Sequence, residues 1–190
     1  MVFSVLRRAT ASVELDGRFP LPGEDRQAIA MDPQDGTVCS ARVTGVKVTD
    51  VTGGRARALA DLGETSAVLY VTQARVALAT SGPDGPLIGH LRYSWVTTIH
   101  ARERSRWFSP ETLAVGFRDP GGEGFGSLLV NLDHRTPASR VAYEIATLAA
   151  RHQARSAHGA LRSRLLMYAA TPTTSRSGRF IRYELPGDDV

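Results

Sequence analysis

Apolar and polar residues follow two different rhythms along this chain, and the change falls near residue 137. From Thr37 the β-branched residues Val38, Val43, Val46, Val48 and Val51 alternate in part with polar ones, which predicts a strand ending at the turn Thr52-Gly53-Gly54. Residues 55–62 return with Ala56, Ala58 and Ala60 set against Arg55, Arg57 and Leu59, although their alanines make a helix a competitor there. Ala67–Thr72 and Ala74–Ala79 predict one or two strands meeting near Thr72-Gln73 and stopped by the Gly/Pro-rich turn 81–86. Leu87–Tyr93, Val96–Ala101, Thr112–Phe117 and Gly126–Asn131 continue the series, the last two flanking a glycine-rich hairpin turn at 119–124.

Beyond Pro137 the period lengthens. Val141, Ile145, Leu148, Ala149 and His152 share one face of a helix, with Thr136 suited to its N-cap and Pro137 to its first position. Gly159 breaks this helix, and Leu161, Leu165, Leu166 and Tyr168 predict a second, shorter one. The tail 171–190 is rich in Thr, Ser, Pro, Arg and Gly, with a strand at Arg179–Leu185. Residues 1–37 read as irregular apart from a short strand around Val13, Leu15 and Phe19. Three segments follow: an irregular lead-in 1–37, a β-rich unit with its helix 38–156, and a basic C-terminal helix and tail 157–190.

The order of these elements, a meander of six or seven antiparallel strands followed by an amphipathic helix, resembles the pleckstrin-homology-like barrel, specifically its bacterial PH-like and GRAM-type branch. The likeness is carried by the strand pair Gly63–Leu78, similar to the family's G-x-L-x-L-T-x-x-R-L-x-F, and by Leu91–Ile99, Leu113–Phe117 and Leu128–Leu132 before the helix from Pro137. It covers roughly residues 38–155. It implies a mainly β fold with C-terminal α structure: a small antiparallel barrel of two near-orthogonal sheets, one open end plugged by the helix through Val141, Ile145 and Leu148. It also implies a binding module rather than an enzyme. The lead-in, the long hairpin 37–62 and everything after Gly159 extend beyond a minimal module of that kind.

Composition narrows the picture. With 42% hydrophobic and 22% charged residues over 190 positions, wholesale disorder and a collagen-like chain are excluded. No window approaches the roughly 20 apolar residues of a membrane span. The short apolar run ending at Leu6 precedes Arg7-Arg8, the reverse of a secretory leader. The expected location is the cytoplasm, with peripheral contact to a membrane open to it. Cys39 is the lone cysteine and forms no internal disulfide.

Lys47 is the one lysine among 23 basic residues, and with abundant alanine this points to GC-rich, bacterial coding. Arginine number is therefore a weaker sign of anion binding than arginine placement. Residues 134–183 hold nine arginines against Glu144 alone, a net +8 in a chain of net +4. A field of one sign attracts a partner protein or peptide of opposite charge, an anionic membrane surface, or nucleic acid. It also describes a plain solvated face.

Catalytic constellations are missing from the sequence. No nucleophile elbow occurs, Asp133-His134 sits where a strand ends and reads as a loop cap, and the five histidines lack metal-ligand spacing. The glycines at 121–126 precede a strand, whereas a dinucleotide loop precedes a helix. No cofactor, metal or small-molecule substrate is expected. Candidate binding residues fall in three groups. Lys47, Arg55 and Arg57 resemble the K-xₙ-R-x-R pattern with which some PH domains hold phosphoinositide headgroups, although a tight turn would set Asp50 opposite Arg57. His100, Arg102, Arg104 and Arg106 alternate ahead of Trp107 and Phe108, as a cationic stripe beside aromatics. Arg151, Arg155, Arg162 and Arg164 lie on the helices. The expected function is a non-enzymatic module docking a partner protein, a peptide or an anionic surface. The alternative is a nucleic-acid-binding protein using the basic C-terminal third, where Tyr143, Tyr168, Phe180 and Tyr183 would have to supply stacking.

Overall fold

The alternating segments form strands, and longer ones than the turn signals imply. The computed structural model describes residues 36–52, 55–82, 85–104, 109–118 and 124–187, and the backbone of 4–8. Its elements are β1 (Ser4–Arg8), β2 (Thr37–Thr52), β3 (Arg55–Thr72), β4 (Arg75–Gly82), β5 (Gly85–Arg92), β6 (Val96–Arg102), β7 (Glu111–Arg118), β8 (Gly124–Leu132), α1 (Ala138–Ser156), α2 (Gly159–Ala170), β9 (Thr174–Ser177) and β10 (Phe180–Glu184). A single 3-10 turn, Tyr93–Trp95, joins β5 to β6.

Residues 55–62 are strand. They belong to the 18-residue β3, which pairs with β2 from Thr52↔Arg55 to Thr37↔Thr72. Alanine's helix preference is worth less than about 1 kcal/mol per residue, and a full ladder on β2 outweighs it. The register shifts at Val43/Gly45, Val46/Lys47 and Val48/Thr49 are the irregularities that let so long a hairpin bend. The strand expected around Val13 lies outside the described residues, whereas β1, which the pattern did not signal, pairs with β5. The strand expected within 179–185 is β10, on the free side of β6.

All neighbours are antiparallel, in the order β1-β5-β4-β3-β2-β8-β7-β6-β10-β9. The mainly β architecture with C-terminal helices is as expected, and the strands before α1 form two meanders, β2–β5 and β6–β8, joined by the β2–β8 ladder. The closed barrel of two sheets is not observed. The ladders form one continuous sheet that ends at β1 and β9, and no ladder joins β5 to β6. The reason is local: β1 already occupies the edge of β5 and β10 that of β6.

The core lies between the inner face of this sheet and α1. Leu69, Leu78, Leu91, Ile99, Leu113, Val115, Phe117 and Leu128 are buried from the strands, and Val141, Ala142, Ile145, Ala146 and Ala149 from the helix. The expected face of α1 is therefore the buried one, Leu148 included. Its N-terminus differs. Pro137 is the N-cap residue and Thr136 makes no cap; instead Glu111 on β7 accepts the Ala138 N–H at 2.5 Å. A carboxylate there suits the partial positive charge of the helix start, and it ties α1 to the sheet. At the far end, Gln153 Nε2 donates to the carbonyls of Tyr93 (2.9 Å) and Val96 (2.7 Å), and His152 Nε2 donates to that of Gln73 (2.6 Å).

Gly159 takes φ +54°, the left-handed region, and lets α2 begin in a new direction with only two residues between it and α1. Leu165 and Tyr168 of α2 are buried as expected, but Leu166 is 49% exposed. Leu166 lies 100° round the helix from Leu165, on the side that α2 turns to solvent.

Candidate binding surface

The ladders fix what the outer face of the sheet presents. One cross-strand row runs Lys47 (β2), Leu129 (β8), Ala114 (β7), His100 (β6), Arg182 (β10), and a neighbouring row sets Thr112, Arg102 and Phe180 side by side. Lys47 and Arg182 thus stand four strand spacings apart, roughly 19 Å at about 4.8 Å each. In the first hairpin Lys47 pairs with Asp61 and Arg57 with Asp50, while Arg55 pairs with Thr52. Lys47 lies three positions along β2 from the Asp50 rung, roughly 10 Å. The register that the turn at Gly53-Gly54 implied is the one observed. It sets an acidic partner across from two of these three cations.

The stripe on β6 is shorter than its alternation implies. His100 and Arg102 are exposed and Ala101 is buried between them, but the strand ends at Arg102. The Glu103 N–H then bonds the carbonyl of Arg179 (3.0 Å), and its carboxylate accepts from Arg176 (2.7 Å). Arg104 lies past the end of the strand, with its Nε buried and without a hydrogen-bond partner among the described residues. Arg106, Trp107 and Phe108 lie outside the described residues. What stands beside Arg102 is Phe180, 58% exposed. Arg182 is in an ion pair with Glu184 (3.0 Å). Burial, then the Arg182 cation, hold the His100 imidazole below its usual pKa.

The helical candidates make a separate surface. Arg151 and Arg155 are exposed one turn apart on α1, and Arg162 and Arg164 are exposed on α2. Arg151, Arg155 and Arg162 form no ion pair among the described residues. Arg164 donates to the Gly187 carbonyl at 2.9 Å and so fastens the segment after β10 to α2. Alongside lies an open groove of about 590 Å³. Tyr168, Met167 and Ala170 line it from α2, Thr171 and Thr173 from the following loop, and Pro186 from the far wall. Met167 is 73% exposed. Tyr168 is buried, and its hydroxyl has no partner. Burial pushes that phenol up to about 12, with Tyr183 and Glu184 adding to the effect. Sequence reasoning found Arg164 but not the groove beside it. The signal was the run Leu165-Leu166-Met167, too apolar for one helix face to absorb.

Acid–base groups do not converge among the described residues. His134 and His158 are exposed, His100 stands on the outer sheet face, and His152 is committed to Gln73. Asp133 caps its own loop, as expected, by accepting the Arg135 N–H at 3.0 Å. Burial raises the Cys39 thiol pKa, which disfavours the thiolate. No cluster of three His, Cys, Asp or Glu residues capable of holding a metal occurs among the described residues. Nor is any helix among them long and apolar enough to cross a membrane.

No protein-family model matches the chain, and no curated protein matches it. Among solved structures, the chain is similar to the Vps36 N-terminal PH domain, with 9% identity and a TM-score of 0.40, over 76% of this chain and 92% of that domain.

Proposed function

We propose that this chain is a non-enzymatic binding module, of the PH-like, GRAM-type kind, that docks a partner protein or peptide on the arginine-rich face of its C-terminal helices. One observation carries the reading: Arg151, Arg155 and Arg162 are exposed with no ion pair among the described residues, on a stretch from 145 to 183 that contains no acid. Unspent cations gathered on two packed helices attract an acidic partner and orient it. The binding face spans the helix of the 38–156 unit and the 157–190 segment. A nucleic-acid partner has less support, because Tyr168 and Tyr183 are buried, leaving Tyr143 and Phe180 exposed for stacking.

The test is a random peptide library selected on the immobilised protein, run beside phosphatidylserine vesicles and single-stranded DNA. The variant Arg151→Glu/Arg155→Glu/Arg162→Glu is preferable to removing 159–190, because that segment supplies Leu165, Tyr168, Ile181 and Tyr183 to the core. Selected peptides should bind the triple variant at least about tenfold more weakly. Their affinity for the wild type should fall with salt, as exposed charges are screened within about 8 Å at physiological ionic strength. If vesicles or DNA are retained and no peptide is selected, the reading is wrong.

A further inference from the structure

We propose that the outer face of the strand pair β6–β10 holds a phosphate monoester carrying a planar ring, of which a nucleoside monophosphate is the simplest form. The site lies on the sheet, apart from the arginines of the helices, and stands or falls independently of the docking reading.

Register builds the site. The ladder sets His100 directly opposite Arg182 and, two residues along, Arg102 opposite Phe180. Ala101 and Ile181 between them are buried, so all four side chains share the outer face. Partners on one rung stand roughly 5 Å apart, and the two rungs roughly 7 Å. Cations set opposite each other in a ladder repel, and burial together with Arg182 holds the His100 imidazole below its usual pKa. A bound anion relieves that repulsion. Neighbouring acids leave room for one. Glu103 is taken by Arg176, and Gly187, from which the chain runs on to Asp188 and Asp189, is held to α2 by Arg164. Glu184 does pair with Arg182, but both side chains are exposed, and so weak a pair exchanges readily for a doubly charged ligand. A phosphate monoester brings roughly two negative charges and three acceptor oxygens, enough for Arg102, Arg182 and His100 together, where a carboxylate brings one charge and two oxygens. Phe180, 58% exposed beside these cations, offers a face on which a planar ring stacks. A sugar between ring and phosphate matches the spacing of the two rungs. The flanking residues are short, Thr112 and Ala114 on β7 and Ser175 and Ser177 on β9, and leave a trough for the ligand.

The experiment follows the histidine ring protons of the full chain by NMR while adenosine 5′-monophosphate, inorganic phosphate or an unphosphorylated oligonucleotide is added. The His100 signal is identified by its loss in His100→Gln. Saturating nucleotide should raise the His100 pKa by about one pH unit, which corresponds to tenfold tighter binding to the imidazolium, and leave the exposed His134 and His158 unmoved. Arg102→Gln should weaken the nucleotide by about tenfold or more. Phe180→Ala should weaken it by about tenfold and leave inorganic phosphate unaffected. Glu184→Gln should strengthen both by freeing Arg182. Reversing Arg151, Arg155 and Arg162 on the helices should change neither by more than about twofold. Thermal melts accompany each variant, and Arg182→Gln repeats the test from the partner strand if Arg102→Gln misfolds. Nucleotide binding that ignores both arginine variants, or that leaves the His100 pKa where it was, would overturn the site. Inorganic phosphate bound as tightly as the nucleotide, or the oligonucleotide bound more tightly, would overturn the ring-bearing monoester as its occupant.

Discussion

Helices α1 and α2 follow each other directly and draw on similar residues, alanine, leucine and arginine, yet the molecule uses them differently. In α1 the apolar positions recur at helical spacing over nineteen residues, and Val141, Ala142, Ile145, Ala146 and Ala149 have no exposed surface. In α2 they come as a run, so Leu165, Tyr168 and Ala169 are buried while Leu166 and Met167 face solvent. Burying one large aliphatic side chain is worth roughly 1.5–3 kcal/mol. The first helix therefore anchors the sheet, and the second, oversupplied with apolar surface for the one face it buries, leaves Leu166 and Met167 in solvent. Spacing, rather than composition, separates the two helices.

The largest effect that can break this comparison comes from placing a carboxylate on each helix. Val141→Asp buries an uncompensated charge against the inner sheet and should cost at least about 4 kcal/mol, enough to unfold a domain of ordinary stability. Met167→Asp, at a site 73% exposed, should stay within about 0.5 kcal/mol. Thermal melts of the two proteins decide the matter. If both variants lose stability alike, α2 is as much a core element as α1 and has no surface to spare.

Glycines sharpen the same contrast at smaller scale. A Cβ on Gly126, in β8 beneath the core, would run into the Phe117 ring and lie 2.8 Å from the Thr49 carbonyl. Gly126→Ala should therefore cost about 2–3 kcal/mol, since backbone and a packed ring must both move. A Cβ on Gly159 meets nothing within 4 Å, so Gly159→Ala carries only the cost of its left-handed φ, about 1 kcal/mol. Denaturant midpoints in the opposite order would mean that the inter-helix link, not the sheet, is the tighter part of the structure.

Much of this fold was legible in the sequence, for a physical reason. Period-two runs ended by Gly and Pro, then a 3.6-residue period from Val141, report directly on which face is buried, and burial dominates the energy. What was not legible depends on partners remote in sequence. The open sheet follows from β1 and β10 taking the edges of β5 and β6; the start of α1 is capped from Glu111, 27 residues earlier. Among the candidate residues, local spacing suggested convergence for Lys47, Arg55 and Arg57, whereas register distributes them and pairs two with acids. The stripe through Arg102 and Arg104 failed as a stripe because strand β6 ends between them. The groove could be found only by asking where Met167 would go.

Tyr168 tests whether the buried side of α2 is well satisfied. Its hydroxyl is buried without a partner, which costs a folded protein about 1–3 kcal/mol for the lost hydration. Tyr168→Phe should thus be neutral or stabilising by up to about 1 kcal/mol near pH 7, where a satisfied tyrosine would be harmed by the change. The phenol also binds its proton more tightly in the folded state, up to about pH 12 against an ordinary 10, through burial first and then Tyr183 and Glu184. The associated stability is complete below pH 10 and is lost as pH rises toward 12. Tyr183, raised by burial and by Tyr143, acts in the same direction. The variant's alkaline loss should therefore shrink without vanishing. An unchanged alkaline limb in pH-dependent melts would show that the hydroxyl is solvated.

The smallest effect belongs to the anchor helix. His152 of α1 donates from Nε2 to the Gln73 carbonyl at 2.6 Å, and its ring lies 5.1 Å from that of Tyr93. Burial lowers its pKa most, and the Arg155 cation lowers it further, against an opposing contribution from the Gln73 bond. The folded protein therefore prefers the neutral imidazole. The stability this confers is present above the unfolded value near 6.5 and is lost as pH falls through the lower, folded pKa. His100, shifted the same way, loses its part over a similar range, so one substitution removes only a share of the acid limb. His152→Gln keeps an N–H donor but cannot titrate. It should be slightly less stable than the wild type at pH 7.5, and the gap should close as the pH is lowered. Paired urea titrations at several pH values read the gap directly. A gap that widens in acid would mean that His152 is bound as the cation, held by an acid near the α1 docking site, and that α1 is not the dry anchor that sets it apart from α2.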